Sequence, residues 1–309
     1  LQPSGAPIVA MGASANGRRL AVGDSTGRVF LYSSQAGDTW GKLEVLRHPR
    51  DGSPATSRGS SRAAEASSHA HSSRACCVSL SPDGTSLLTG SRDALRLWSV
   101  EDAAGRCSLT GEEAGSGGRN DVVFCATWRD DNETLAFSRV HTDAVGSRAS
   151  TVDTLVVTTV SDLRKNFARR TGSPSRVEPP SDAADVATFG RRLLRGHQDA
   201  VLCCAFSPHE WGRRERARSE GDAEDSGVLL MSGSKDGSVR LWDIGSLDCL
   251  AVLEGHSDAV TQVCCATERR TVMSASEDGS VRLWDADTCL CFSRLDIGAG
   301  DPVRFLASL

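Results

Sequence analysis

Apolar residues along the chain fall in short runs separated by clusters rich in Gly, Asp, Ser and Pro. AVLCCAF (200–206), VLLMSGS (228–234) and AVTQVCCA (259–266) are typical. Runs of this length with β-branched content read as strands rather than helices. Several do not alternate with polar residues, which predicts strands covered on both faces. SKDG (234–237) and SEDG (276–279) lie between such runs and read as tight hairpin turns, with Gly237 and Gly279 supplying positive φ. The pattern therefore predicts an all-β chain of short antiparallel strands.

The runs recur as a unit. Residues 71–100 (HSSRACCVSLSPDGTSLLTGSRDALRLWSV), 196–244 and 255–286 (GHSDAVTQVCCATERRTVMSASEDGSVRLWDA) share one order of features. Each has a His, a small-polar pair, an apolar strand and a turn. A second strand ends in a small-residue triplet, a tight turn carries Asp, and a third strand ends in Leu-Trp. Trp242 and Trp284 stand 42 residues apart. Two further copies are degenerate. Residues 7–33 place Tyr32 where the Trp belongs and Thr26 where the Asp belongs, and 120–167 begin with NDVVFCATWRD and resume with TLVVTTVSDLRKNF. DPVRFLASL (301–309) reads as the inner strand of one more unit.

Gly196-His197 with Trp242-Asp243, and Gly255-His256 with Trp284-Asp285, resemble the WD-repeat family, whose period is about 40–45 residues. The resemblance implies an all-β WD-repeat β-propeller with five recognisable blades, near 7–47, 71–110, 120–194, 197–253 and 256–295, plus the start of a sixth at 301–309. It makes 1–309 a single propeller region, part of the seven-bladed ring common in the family. The polar stretches 48–70, 131–153, 168–185 and 209–226 read as flexible insertions. The first falls on the face that carries the Asp turns, here called the top. The other three fall on the opposite face, 131–153 and 209–226 between first and second strands and 168–185 between third and fourth.

The resemblance also implies a hydrogen-bonded relay in each well-kept unit: Trp98, Thr89, His71 and Asp93; Trp242, Ser232, His197 and Asp236; Trp284, Ser274, His256 and Asp278. An indole N–H can only donate, a hydroxyl can accept and pass a donor on, and an imidazole can hand its other N–H to a carboxylate. Ser, His and Asp are also the parts of a hydrolase triad. A trio repeated at one position of every good unit suits a structural staple better than a single reactive centre. In the first unit Val22 replaces the hydroxyl, and Asp and Trp are missing, so that unit is expected to be held by apolar packing alone.

Composition narrows function. A net charge of −5 disfavours direct nucleic-acid binding by charge, and the basic pairs at 169–170, 191–192 and 213–214 lack interleaved aromatics for base stacking. No run approaches the length of a membrane helix. Eleven Cys, an odd number, imply free thiols and an intracellular setting, cytoplasmic or nuclear. The chain begins with Leu and reads as an excerpt of a longer protein. No phosphate loop, nucleophile elbow or zinc spacing is present, so neither a catalytic site nor a cofactor or metal is expected. The expected role is a scaffold for other proteins, whose top-face contacts are Arg92, Gln198, Asp199, Lys235, Ser257, Asp258 and Glu277. The competing settings are the sensor propeller of a larger signalling ATPase and a subunit of a ribosome-biogenesis or other RNA–protein complex.

Overall fold

The structure is a computed structural model that describes residues 5–35, 39–46, 77–91, 94–100, 107–114, 120–142, 154–171, 192–208, 211, 228–266, 270–297 and 303. The chain falls into two compact units. One comprises Leu1–Glu133, Thr142–Val145 and Val160–Pro179; the other comprises Thr134–His141, Gly146–Thr159 and Pro180–Leu309.

The first unit holds two four-stranded antiparallel sheets. One runs β1 (Ile8–Ala13), β2 (Arg19–Asp24), β3 (Val29–Gln35), β4 (Thr39–Val45) in chain order. The next is β5 (Cys77–Leu80), β6 (Ser86–Gly90), β7 (Ala94–Val100), β8 (Cys107–Ala114). Between them Ala21, Val29, Leu31, Val78, Leu87 and Trp98 form one buried cluster. The strands β9 (Asn120–Val122) and β10 (Ala126–Trp128) follow. The second unit holds β11 (Thr134–Thr142), β12 (Thr154–Thr159) and β13 (Arg192–Arg195), antiparallel in that order. It also holds two complete sheets: β14 (Val201–Phe206), β15 (Leu229–Ser234), β16 (Val239–Asp243), β17 (Cys249–Leu253), and β18 (Val260–Ala266), β19 (Thr271–Ser276), β20 (Ser280–Asp285), β21 (Cys291–Asp296). These two pack through Cys203, Met231, Leu241, Val260, Val263 and Val272.

One register repeats. Leu87 faces Trp98, Leu230 faces Trp242 and Val272 faces Trp284 across the second and third strands. In the first sheet Leu20 faces Tyr32 in the same way. Trp98, Trp242, Trp284 and Tyr32 are all buried. The turns after β15 and β19 carry Gly237 and Gly279 at φ 79° and 80°. Of the 301–309 stretch only Val303 is described. Its N–H donates to Ser276 O, and the Thr261 hydroxyl donates to Val303 O, much as the Cys203 thiol meets Val260 O in the preceding sheet.

Three readings of the sequence need correction. The stretch 131–153 is not wholly an insertion, because Thr134–Thr142 forms β11, with Leu135, Ala136 and Phe137 buried. The later part of it, 143–153, comes between second and third strands in the chain and lies outside the described residues. The stretch 154–167 is strand only to Thr159. Val160–Thr171 is a helix, α1, so the insertion placed at 168–185 begins inside a helix. Val160 and Leu163 bury one face of α1, and Glu133 fastens its start, accepting the Val160 N–H on its carbonyl and the Ser161 N–H on its carboxylate (2.9 Å each). A first-turn amide otherwise lacks a partner.

The first sheet is likewise not held by apolar packing alone. Asp24, fully buried, stands where Ser234 and Ser276 stand in later sheets. It accepts the Thr26 amide (2.9 Å) and hydroxyl (2.6 Å), the Arg28 amide (3.0 Å) and the Arg28 guanidinium (3.1 Å). A carboxylate lock thus replaces the relay. Asp24→Ala is expected to lower stability by about 2–3 kcal/mol, since several hydrogen bonds to a charge vanish together; urea unfolding checks this, and a cost near zero contradicts the lock.

Candidate functional site

The relay starts from sequence position. The hydroxyl residue sits two places before the end of the second strand, and the Trp two places after the Arg that faces it. Antiparallel pairing thereby brings Trp242 Nε1 to Ser232 Oγ at 2.8 Å and Trp284 Nε1 to Ser274 Oγ at 2.8 Å. The loop before the first strand lays His197 Nε2 against Ser232 Oγ (2.8 Å) and Nδ1 against Asp236 Oδ2 (3.0 Å). His256 meets Ser274 (2.8 Å) and Asp278 (2.9 Å) identically. In the second sheet Trp98 Nε1 donates to Thr89 Oγ1 at 2.9 Å, while His71, Asp93 and the top-face residue Arg92 lie outside the described residues.

The direction of the relay follows from donor counts. The indole can only donate, so the hydroxyl oxygen accepts from it; the ionised carboxylate can only accept, so the imidazole donates to it, and Nε2 of the neutral ring is left to accept the hydroxyl hydrogen. The imidazole proton then sits on Nδ1 and is donated to the carboxylate. Each Asp collects more than the imidazole. Asp236 accepts the Gln198 and Ser238 amides and the Ser238 hydroxyl; Asp278 accepts the Ser257 and Ser280 amides and the Ser280 hydroxyl.

Electrostatics agree with this arrangement. Burial works against ionisation of Asp236, but hydrogen bonds from His197, Ser238 and the Gln198 amide outweigh it and hold the carboxyl far below its usual range. Asp278 is depressed likewise, with burial opposed by Ser280, His256 and the Ser257 amide. Burial pushes His256 down, and Asp278 only partly offsets that, so the ring stays neutral near pH 7.

The glycine of each Gly-His pair also has a physical reason. Arg240 and Arg282 stack over Trp242 and Trp284, 5.9 and 5.8 Å from the ring centroids. A Cβ on Gly196 would meet Arg240 Nη1 at 2.7 Å, and one on Gly255 would meet Arg282 Nη1 at 2.6 Å.

The relay's connectivity is that of a hydrolase triad, yet its burial is not. Ser232 and Ser274 have no exposed surface, and each Oγ already accepts an indole N–H. No substrate carbonyl reaches them. Among the described residues no group of three or more His, Cys, Asp or Glu is placed to hold a metal ion.

What the relay does reach is the top surface. By taking the Gln198 and Ser257 amides, the two carboxylates fix the loops that present Gln198, Ser257 and Asp258 as exposed side chains, with Asp199 half-buried. The Lys235 amide donates to Ala200 O (2.8 Å) and the Glu277 amide to Ala259 O (2.9 Å), leaving both side chains exposed at equivalent turns of neighbouring sheets.

One buried residue escaped the sequence reading. Trp211, inside the supposed insertion 209–226, is 3% exposed and joins the core between the last two sheets. Arg270 lies over its ring at 5.8 Å and pairs with Asp287 at 3.1 Å. A lone large aromatic in an Arg/Glu/Gly-rich stretch was the available signal. The cysteines divide too. Cys77, Cys125 and Cys203 are buried filler, whereas Cys249 and Cys291 are exposed on outer strands.

Repeated sheets with one register and one Trp-to-Asp relay define a WD-repeat fold. The family described as WD domain, G-beta repeat matches residues 65–99, 190–210, 223–243 and 247–285. These four regions are WD repeats, and the antiparallel four-stranded sheets are those of a WD-repeat β-propeller fold. It is similar to a Lissencephaly-1 homolog of Branchiostoma floridae, 34% identical over 71 residues (23% of this chain, 18% of the relative). It is also similar to mitochondrial division protein 1 of Kluyveromyces lactis, 27% identical over 195 residues (62% and 23%), and to nuclear distribution protein PAC1-2 of Uncinocarpus reesii, 34% over 73 residues (24% and 14%). The chain spans less than a quarter of the length of these relatives.

Proposed function

We propose that the chain is a protein-interaction scaffold and not an enzyme, with partner proteins docking on the top surface at Gln198, Asp199, Lys235, Ser257, Asp258 and Glu277. The observation that carries this reading is the pairing of a rigid base with exposed, unlike side chains. Two neighbouring sheets hold their top loops by the same buried relay, yet one presents Lys235 and the other Glu277 at the same place. Fixed loops keep the ordering cost of docking low, and opposite charges at matching positions discriminate between partners. The relatives support a binding role, since the same repeats occur in proteins named for lissencephaly, mitochondrial division and nuclear distribution. No helix among the described residues is long and apolar enough to cross a membrane. The proposed partners are intracellular proteins, met without direct nucleic-acid contact.

The test is quantitative affinity purification of the whole chain against Lys235→Glu and Glu277→Lys, with thermal melting as a folding control. Each reversal is expected to cut recovery of directly bound proteins while leaving the melting temperature unchanged. Recovery indifferent to both reversals sinks the top-surface assignment.

A further inference from the structure

Among the described residues, β21 has a strand neighbour on one side only, β20. Around it Leu290, Phe292, Leu295 and Ile297 are 67, 58, 54 and 62% exposed. Edge strands of soluble proteins are usually blunted by charged side chains, Lys especially, or by Pro, a bulge or a cover, and here opposite charges two residues apart make the edge complementary to itself. The register irregularity in β21 lies at its start, opposite Trp284, and Ser293–Asp296 runs in regular register against β20 with neither Lys nor Pro. Among the described residues this strand edge is open, with exposed Leu295 and Ile297 alongside the charged pair Arg294 and Asp296.

We propose that this edge pairs with the same edge of a second copy of the chain, antiparallel, about a two-fold axis through Leu295. The proposal stands apart from the top-surface reading. The backbone sets the register. Ile297 N–H donates to Gly279 O and Leu295 faces Val281, so the polar backbone groups of 295 and 297 turn toward β20. By alternation those of Arg294 and Asp296 turn to the open edge. With the axis at Leu295, Arg294 of one copy lies opposite Asp296 of the other, and the reverse holds across the axis. Each such pair exchanges two backbone hydrogen bonds, and the two Leu295 side chains meet at the closer, non-hydrogen-bonded position.

Charge selects this arrangement over its neighbour. Arg294 and Asp296 are half or more exposed and already touch within the strand, Nη2 to Oδ1 at 2.7 Å. Centred on Leu295, each guanidinium gains a second carboxylate. Centred on Arg294, two guanidinia face each other, which is unfavourable for directly opposed residues. The contact is isologous and closes as a dimer rather than extending to a fibre. The outer strand of the preceding sheet, Cys249–Leu253, has exposed Leu250 and Val252 but no charged residue to set such a register.

Sedimentation equilibrium of the whole chain across the micromolar range tests this. The wild type is expected to show a monomer–dimer equilibrium. Arg294→Asp and Asp296→Arg, both at exposed positions, are each expected to weaken the dimer about tenfold, and the double charge swap to restore it. A wild type monomeric at every concentration overturns the proposal and leaves the edge to a strand of another protein. A dimer indifferent to Arg294→Asp, or weakened by it and not rescued by the swap, overturns it as well.

Discussion

Trp242→Ala lowers the unfolding free energy by about 3–5 kcal/mol, the cost of emptying a buried indole site. Trp242 is 2% exposed and packs in the sheet interior, beneath Arg240 and edge-on to His197 at 6.2 Å. The loss has two parts. Apolar burial and its cavity account for most of it. The remainder is the indole N–H, without which Ser232 Oγ keeps only His197 as a side-chain partner. Trp242→Phe separates the two, because it keeps most of the packing and drops the donor, and it is expected to cost about 1–2 kcal/mol. Trp40→Ala is the control, since Trp40 is 39% exposed. Urea unfolding followed by far-ultraviolet circular dichroism measures all three. A Trp242→Ala cost no larger than that of Trp40→Ala contradicts the structural role assigned here.

The second large effect belongs to Asp278. Its carboxylate accepts the His256 ring, two backbone amides and a hydroxyl, so Asp278→Ala removes four hydrogen bonds at once and is expected to cost about 2–4 kcal/mol. The loss depends on pH. The folded Asp278 carboxyl titrates below its unfolded value of about 3.9, so its stabilisation is complete above that value and disappears as acid carries the pH down through the folded pKa. His256 acts in the same direction. Its folded pKa lies below the unfolded value of about 6.5, so the unfolded chain takes the proton first and stability begins to fall as the pH drops past 6.5. Urea midpoints between pH 8 and pH 3 are therefore expected to fall steadily with acid in the wild type. A wild-type midpoint that rises on acidification runs against both assignments.

The residues that repeat were legible, and those that depart from the repeat were not. Gly196-His197 and Trp242-Asp243 mark their sheet because each answers a local demand. The glycine leaves room for the Arg240 guanidinium, the His continues the relay to Asp236, the Trp fills the interior, and Asp243 accepts the Gly245 and Ser246 amides of the turn that follows. Such demands recur with the sheet and so show as spacing. β11 was hidden because its apolar run, Leu135–Phe137, is only three residues long and is flanked by DDNE and polar residues. α1 was hidden for a different reason. A repeat predicts another strand after TLVVTT, but the Leu-Arg-Lys-Asn-Phe-Ala-Arg-Arg run that follows favours helix, and Glu133, distant in sequence, supplies its cap. Asp24 escaped because it occupies the place of a serine, not of the turn aspartate, so matching by residue type found nothing. Long-range caps and exchanged chemistry leave no periodic trace.

Imidazole nitrogen-15 spectra of the labelled protein at neutral pH address the relay most directly. The Asp236 and Asp278 carboxylates can only accept, which puts the imidazole proton of His197 and His256 on Nδ1 and leaves Nε2 to accept from the Ser232 and Ser274 hydroxyls, each of which already accepts an indole N–H. That tautomer at both histidines is the predicted result. Protonation on Nε2, or rings that behave like free imidazole in water, would contradict it.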